Sequence, residues 1–141
     1  MTAVNKKTEG PAKERILFAA FEAVPFIKTG GLGDVAGSLP GALGKLGADV
    51  RLIMPKFAAI PQKFKEQMVH LADFYMPLGW RSQFVGIETI TYNDVIIYFV
   101  DNEYYFKRDF GLYGYYDDAE RYAFFSRAVL EMLEPLEIKP D

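Results

Sequence analysis

The sequence has no cysteine and only one histidine, His70. A disulfide framework is therefore excluded, and His/Cys metal sites cannot be assembled, so no metal and no cofactor are expected. A chain without thiols suits a reducing compartment. Basic residues are no more plentiful than acidic ones: 16 Lys and Arg against 19 Asp and Glu give a formal net charge of −3. They form no basic stripe, so the sequence-independent attraction that holds nucleic acid is missing and no nucleic-acid partner is expected. The longest apolar runs are strand-length, too short to span a bilayer, and no charged-then-apolar leader precedes them. No membrane partner is expected, and the cytoplasm is the expected location. No internal repeat or low-complexity segment is present.

What the sequence does contain is a core. At 141 residues, 50% of them hydrophobic, it is long enough for one compact domain. Met1 to Arg15 has only Val4 as a large aliphatic residue, too little apolar surface to offset the entropy of ordering, and reads as a disordered tail over 1–15. The domain is expected over 16–141. Ile16 to Phe21 is a continuous apolar run, the pattern of a strand buried on both faces in a parallel sheet. Val35, Leu39, Ala42, Leu43 and Leu46 then share a helical face, Gly47 offers a stop, and Asp49 to Met54 reads as a second strand ended by Pro55. Pro40 breaks the helical pattern and predicts a kink or a late helix start.

Two β-rich runs, Phe84–Thr91 and Val95–Val100, flank Tyr92-Asn93-Asp94 and predict a hairpin inserted into the parallel sheet. Asp117 and Asp118 with Glu120 resemble an acidic N-cap, and Tyr122, Phe125, Val129, Met132 and Leu133 share a face, predicting a helix from about Asp118 to Glu134. Leu136 to Asp141 reads as the approach to a further strand that the sequence does not reach, so truncation within a motif is expected. The fold class is α/β, Rossmann-like, mainly parallel, with a β-hairpin insertion.

The segment richest in chemistry is Lys28-Thr29-Gly30-Gly31-Leu32-Gly33-Asp34, between the first strand and the first helix. Three glycines in four residues let a backbone approach a ligand closely, and the free amides at a helix start bind anions. Lys28 beside that helix start is disfavoured unless an anion lies between them. A tight glycine turn with Lys28 in solvent suits the spacing equally well. The segment is no Walker loop, because Lys28 precedes the glycines. Gly31 to Ala36 matches the loose dinucleotide pattern, but a long loop from Ala23 intervenes and Pro55, not an acid, ends the second strand. A nicotinamide-dinucleotide-binding oxidoreductase domain is a lesser alternative.

Glu22-Ala23-Val24-Pro25-Phe26-Ile27 followed by that glycine segment resembles the opening signature of bacterial glycogen synthases and plant starch synthases. Ser38-Leu39-Pro40, Val50 to Pro55, Leu112-Tyr113-Gly114 and Asp118 to Tyr122 continue the resemblance, which covers nearly all of Arg15 to Asp141. It implies a retaining glucosyltransferase moving glucose from an ADP-glucose donor to the non-reducing end of an α-1,4-glucan acceptor, without metal. It also implies a two-domain GT-B architecture of which this chain is most of the N-terminal domain. A C-terminal domain of the same enzyme is then a missing partner, and the chain alone is expected to be inactive. By the family's motif, Lys28 with Gly30, Gly31, Gly33 and Asp34 binds ADP-glucose; no catalytic residue is assigned. Phe21 stands where the family usually carries Ser.

Ten aromatics lie between Tyr104 and Phe125. Tyr122, Phe124 and Phe125 read as core; Tyr113 and Tyr115, in a glycine-bearing loop, are candidate substrate or acceptor contacts, as is Glu22 at the end of the first strand. Glu22 and Asp34 also suit structural roles, since an acid near a helix start is stabilised by the macrodipole. A non-catalytic carbohydrate-binding α/β module is the other alternative.

Overall fold

In the computed structural model, which describes residues 12–141, the first apolar run forms strand β1, Arg15–Ala19. Residues 1–11 of the expected tail lie outside the described residues. Its last residues already belong to the sheet: Asp49 N donates to Glu14 O at 2.8 Å, and Arg15 pairs with Asp49. Helix α1, Gly31–Lys45, and strand β2, Asp49–Pro55, follow. β2 runs parallel to β1, completing a strand–helix–strand unit.

The helical face expected to be buried is not the one that is. α1 buries Gly33, Ala36 and Pro40, whereas Val35, Leu39 and Leu46 are 51%, 38% and 85% exposed. Close approach is the reason: a Cβ on Gly37 would lie 2.6 Å from the Val24 carbonyl oxygen. Only small side chains fit beneath the helix, so the bulky ones stand on its far side. Nor does Pro40 delay the helix, which starts at Gly31 and continues past it to Lys45. The stop at Gly47 is a Schellman motif: Gly47 has φ 102°, its N–H donates to Gly44 O, and Ala48 N donates to Leu43 O.

After the short helix α2, Gln62–Lys65, come β3, Val69–Leu78, β4, Arg81–Tyr92, and β5, Val95–Asp101. The expected hairpin is β4–β5, its turn made by Asn93 and Asp94 at φ 46° and 63°, the positive values of a tight hairpin turn. β3 adds an antiparallel strand that periodicity did not disclose. His70, Asp73 and Pro77 interrupt its pattern, as suits an outer strand.

The sheet order is β1-β2-β5-β4-β3, parallel through β1, β2 and β5 and antiparallel through the rest. β1 is thus an outer strand, and Ile16, Leu17 and Phe18 are half-buried rather than buried on both faces as expected. Beside its free edge lies the segment 137–141. Asp141 N donates to Arg15 O at 2.9 Å and its carboxylate takes the Arg15 guanidinium at 2.6 Å.

Two further helices, α3, Glu103–Phe106, and α4, Asp118–Glu131, complete the described chain. The buried stripe of α4 is Arg121, Phe124, Phe125 and Ala128, rotated from the expected one; Tyr122 is 38% exposed. Asp117 makes no side-chain cap, because its carboxylate is held by Arg108 at 2.8 Å. The core runs from Ile53, Met54, Phe99 and Val100 in the sheet to Phe26 and to Tyr105, Phe106 and Phe124. Among the described residues no helix is long and apolar enough to cross a membrane.

Candidate functional site

Residues 20–30 join the end of β1 to the start of α1, on the carboxyl side of the parallel strands, where open α/β sheets place ligands. Phe26 anchors this loop. Its ring is buried against Phe64, Tyr92 and Phe99 at centroid distances of 4.9, 5.7 and 5.3 Å. Phe26 N and Ile27 N both donate to Ala23 O, and Val24 N donates to Gly33 O at 3.0 Å, tying the loop to the first turn of α1.

Glu22 organises the rest. Only 2% exposed, its carboxylate accepts from Thr29 N at 3.0 Å, Thr29 Oγ1 at 2.6 Å, Gly30 N at 3.1 Å and Tyr113 Oη at 2.7 Å. Burial alone would raise its pKa; the bonds from Thr29, Tyr113 and Gly30 outweigh that and hold it at about 2. Burial, and then the same contact with Glu22, push the Tyr113 phenol well above its ordinary range. Part of the loop's anion-binding capacity is therefore filled by the chain itself. The amides of Thr29 and Gly30 serve Glu22, and the amides of Gly31 and Leu32 at the helix start have no acceptor among the described residues.

Lys28 lies beside that helix start. Its Nζ is 2.7 Å from Asp34 Oδ2, with both side chains about half exposed. The cation that the sequence left without an anion has found one in the first turn of the helix. Gly33 makes the arrangement possible: a Cβ there would meet Lys28 Cγ at 3.0 Å and Glu22 Oε1 at 3.2 Å. Gly30 and Gly31 have open space at the same position, so neither of them relieves an internal contact.

The candidates from the aromatic loop separate. Tyr113 is brought to the glycine loop through Glu22, although 37% of it remains exposed. Tyr115 is occupied elsewhere: its hydroxyl donates to Gly111 O at 2.8 Å and accepts from Phe110 N, and the guanidinium groups of Arg108 and Arg121 lie 5.1 and 4.7 Å from its ring. Arg121, fully buried, fixes this loop by donating to Tyr105 O, Leu112 O and Asp118 Oδ1. Asp118 in turn accepts from the amides of Gly114 and Tyr115. Burial would raise the Asp118 pKa, but these bonds and Arg121 bring it below the ordinary value.

Thr29, Gly37 and Arg121 are not among the site residues that the sequence suggests. The run Gly33, Gly37, Gly41, with a glycine on every fourth residue of one helix, was the legible signal for Gly37. Arg121 gave none, because charged residues are rarely buried. Phe21 fills an aromatic cluster, with ring centroids 4.8 Å from Tyr122 and 5.1 Å from Phe125.

Residues 15–141 match the family model described as the starch synthase catalytic domain. The chain is 58% identical over 127 residues to a glycogen synthase of Desulforamulus reducens and 53% identical over 127 residues to one of Bacillus subtilis. In each case the match covers 90% of this chain and 26% of the relative. The chain thus spans about a quarter of the length of these curated relatives. Among solved structures it resembles the catalytic domain of starch synthase IV from Arabidopsis thaliana, bound to ADP and acarbose, with a TM-score of 0.81 and 28% identity over 92% of this chain and 27% of that one.

Proposed function

The chain belongs to the starch synthase catalytic domain family, and from that premise we propose that it forms the loop-bearing side of a retaining glucosyltransferase transferring glucose from ADP-glucose to the non-reducing end of an α-1,4-glucan. The observation that carries this reading is the glycine loop held by Glu22, with the Gly31 and Leu32 amides uncommitted among the described residues and Lys28 beside them. A diphosphate placed there would receive two backbone donors, the positive end of α1 and an ammonium group. As the bond from the anomeric carbon to the diphosphate breaks, negative charge grows on the leaving group, and a fixed cation lowers that barrier. Lys28 must first exchange Asp34 for the diphosphate. The exchange is inexpensive, since exposed ion pairs contribute about 0–1 kcal/mol.

In this proposal Gly30, Gly31 and Gly33 shape the donor loop, Asp34 holds Lys28 until the donor arrives, and Glu22 positions rather than contacts the sugar nucleotide. In this proposal turnover requires a second α/β domain of the same enzyme, in keeping with a chain that spans about a quarter of its relatives' length. The cytoplasm is the proposed location. Amide NMR of the chain with millimolar ADP-glucose tests the reading: shifts centred on Gly30, Gly31 and Leu32 support it. A response to a nicotinamide dinucleotide with none to ADP-glucose would replace it with the dinucleotide alternative.

A further inference from the structure

One large ring lies where such rings seldom lie. Trp80, the chain's only tryptophan, is 87% exposed, although tryptophan is highly buried on average. It occupies the second position of the two-residue turn Gly79-Trp80 between β3 and β4, with Gly79 at φ 59°. Leu78 and Arg81 are paired across the ladder on either side, so the turn is closed and the indole is presented from a fixed base.

Its neighbours are ordered around one guanidinium. Arg81 Cζ lies over the indole at 4.7 Å and over the Tyr104 ring at 5.7 Å. Arg81 Nη1 donates to Tyr104 Oη at 3.2 Å, and Nε lies 3.2 Å from Glu120 Oε1. Tyr104 is itself 49% exposed. A strip of two rings and a pinned cation results, bordered by a carboxylate. Gly86 pairs with Asp101, the last residue of β5, so residues 81–85 of β4 run beyond the carboxyl end of the parallel strands. The tip therefore stands on the ligand-bearing side of the sheet, carried by an element separate from the glycine loop.

We infer that Trp80 and Tyr104 form a binding platform for an α-glucan chain, outside the donor loop. A pyranose has a C–H face that packs on an aromatic ring and a rim of hydroxyls that both donate and accept. The indole offers the face not covered by Arg81; the Arg81 guanidinium and Tyr104 hydroxyl can donate, and Glu120 can accept. A lipid surface would have to desolvate the guanidinium and the carboxylate together, and the net charge of −3 does not favour nucleic acid. The choice of an α-linked glucan rests on the function proposed above; the platform itself rests on the geometry of the tip.

Because Trp80 is the only tryptophan, its fluorescence reports on the platform directly in the intact chain. Titration with maltoheptaose is expected to move the emission to shorter wavelength and to protect the ring from acrylamide, both saturably. Trp80→Ala should weaken co-sedimentation with glycogen by about tenfold or more, the scale of losing one aromatic anchor. Tyr104→Ala, which keeps the reporter, should weaken the maltoheptaose response. Unchanged emission at millimolar maltoheptaose would overturn the inference. So would an equal response to cellohexaose, or an emission shift that follows protein concentration without sugar, which would make the tip a contact between copies. None of these measurements involves ADP-glucose, so loss of the platform leaves the donor reading intact and failure of the donor reading leaves the platform testable.

Discussion

The hydroxyl of Tyr113 donates to Oε2 of Glu22 at 2.7 Å across 91 residues of sequence. Through that bond the loop before α4 and the loop before α1 share one buried carboxylate, and the glycine segment inherits its shape from both. Glu22→Gln replaces an acceptor of four bonds by a group with one acceptor oxygen. It is expected to lower stability by about 2–3 kcal/mol, and Tyr113→Phe by about 1–2 kcal/mol, the scale of hydrogen bonds to a charged group. Urea denaturation measures both; equal midpoints for Tyr113→Phe and the parent would show that the bond contributes nothing.

Acid should undo the same contact. Glu22 is held at about 2 against an ordinary value of 4.5. The folded state therefore binds fewer protons than the unfolded one in that interval. The contribution of Glu22 is complete above about 4.5 and is lost as pH falls toward about 2. Asp117, Asp118 and Asp141 are also held low, so the diagnostic is a difference. The stability of the parent should fall more steeply than that of Glu22→Gln between pH 4.5 and 2, and parallel curves would contradict the assignment.

Within α1, glycines differ in what they permit. Gly37→Ala must displace the Val24 backbone and is expected to cost about 1–3 kcal/mol, the usual scale of overpacking. Gly44→Ala meets nothing within 4 Å in the same helix and is expected to stabilise by up to about 1 kcal/mol. Thermal unfolding of the two variants should move in opposite directions.

Lys28→Ala should weaken ADP binding by about tenfold or more, as for loss of a charge-assisted contact. Asp34→Asn should strengthen it, by releasing Lys28 from its 2.7 Å partner. NMR titration of the chain with ADP reads both variants. Weaker binding in Asp34→Asn would show that the acid serves the ligand and not the lysine.

The β1–α1–β2 unit was legible because short apolar runs and a glycine stop encode it locally. The β4–β5 hairpin was legible because Asn93-Asp94 readily takes positive φ between two β-rich runs. β3 was not, since His70, Asp73 and Pro77 give an outer strand the composition of a loop. Lys28 and the glycines could be picked out by spacing, and Glu22 by its place at the end of β1. That Glu22 holds Thr29 and Tyr113, and that Tyr115 faces its own loop, depends on contacts among segments far apart in sequence, to which no local pattern corresponds. Bulk does not mark the inner face of α1, because proximity to Val24 reserves that face for small residues.

β5 is bonded on one side to parallel β2 and on the other to antiparallel β4. The second of these neighbours is reached through a two-residue turn, so it can assemble while the rest of the chain is still open, and β2 then has a finished edge to join. Folding can thus proceed from a local hairpin to a long-range parallel pair, lowering the loop-closure entropy still to be met when the distant strand arrives. The amides of Ile97 to Val100, enclosed by both neighbours, should be the last to exchange with solvent.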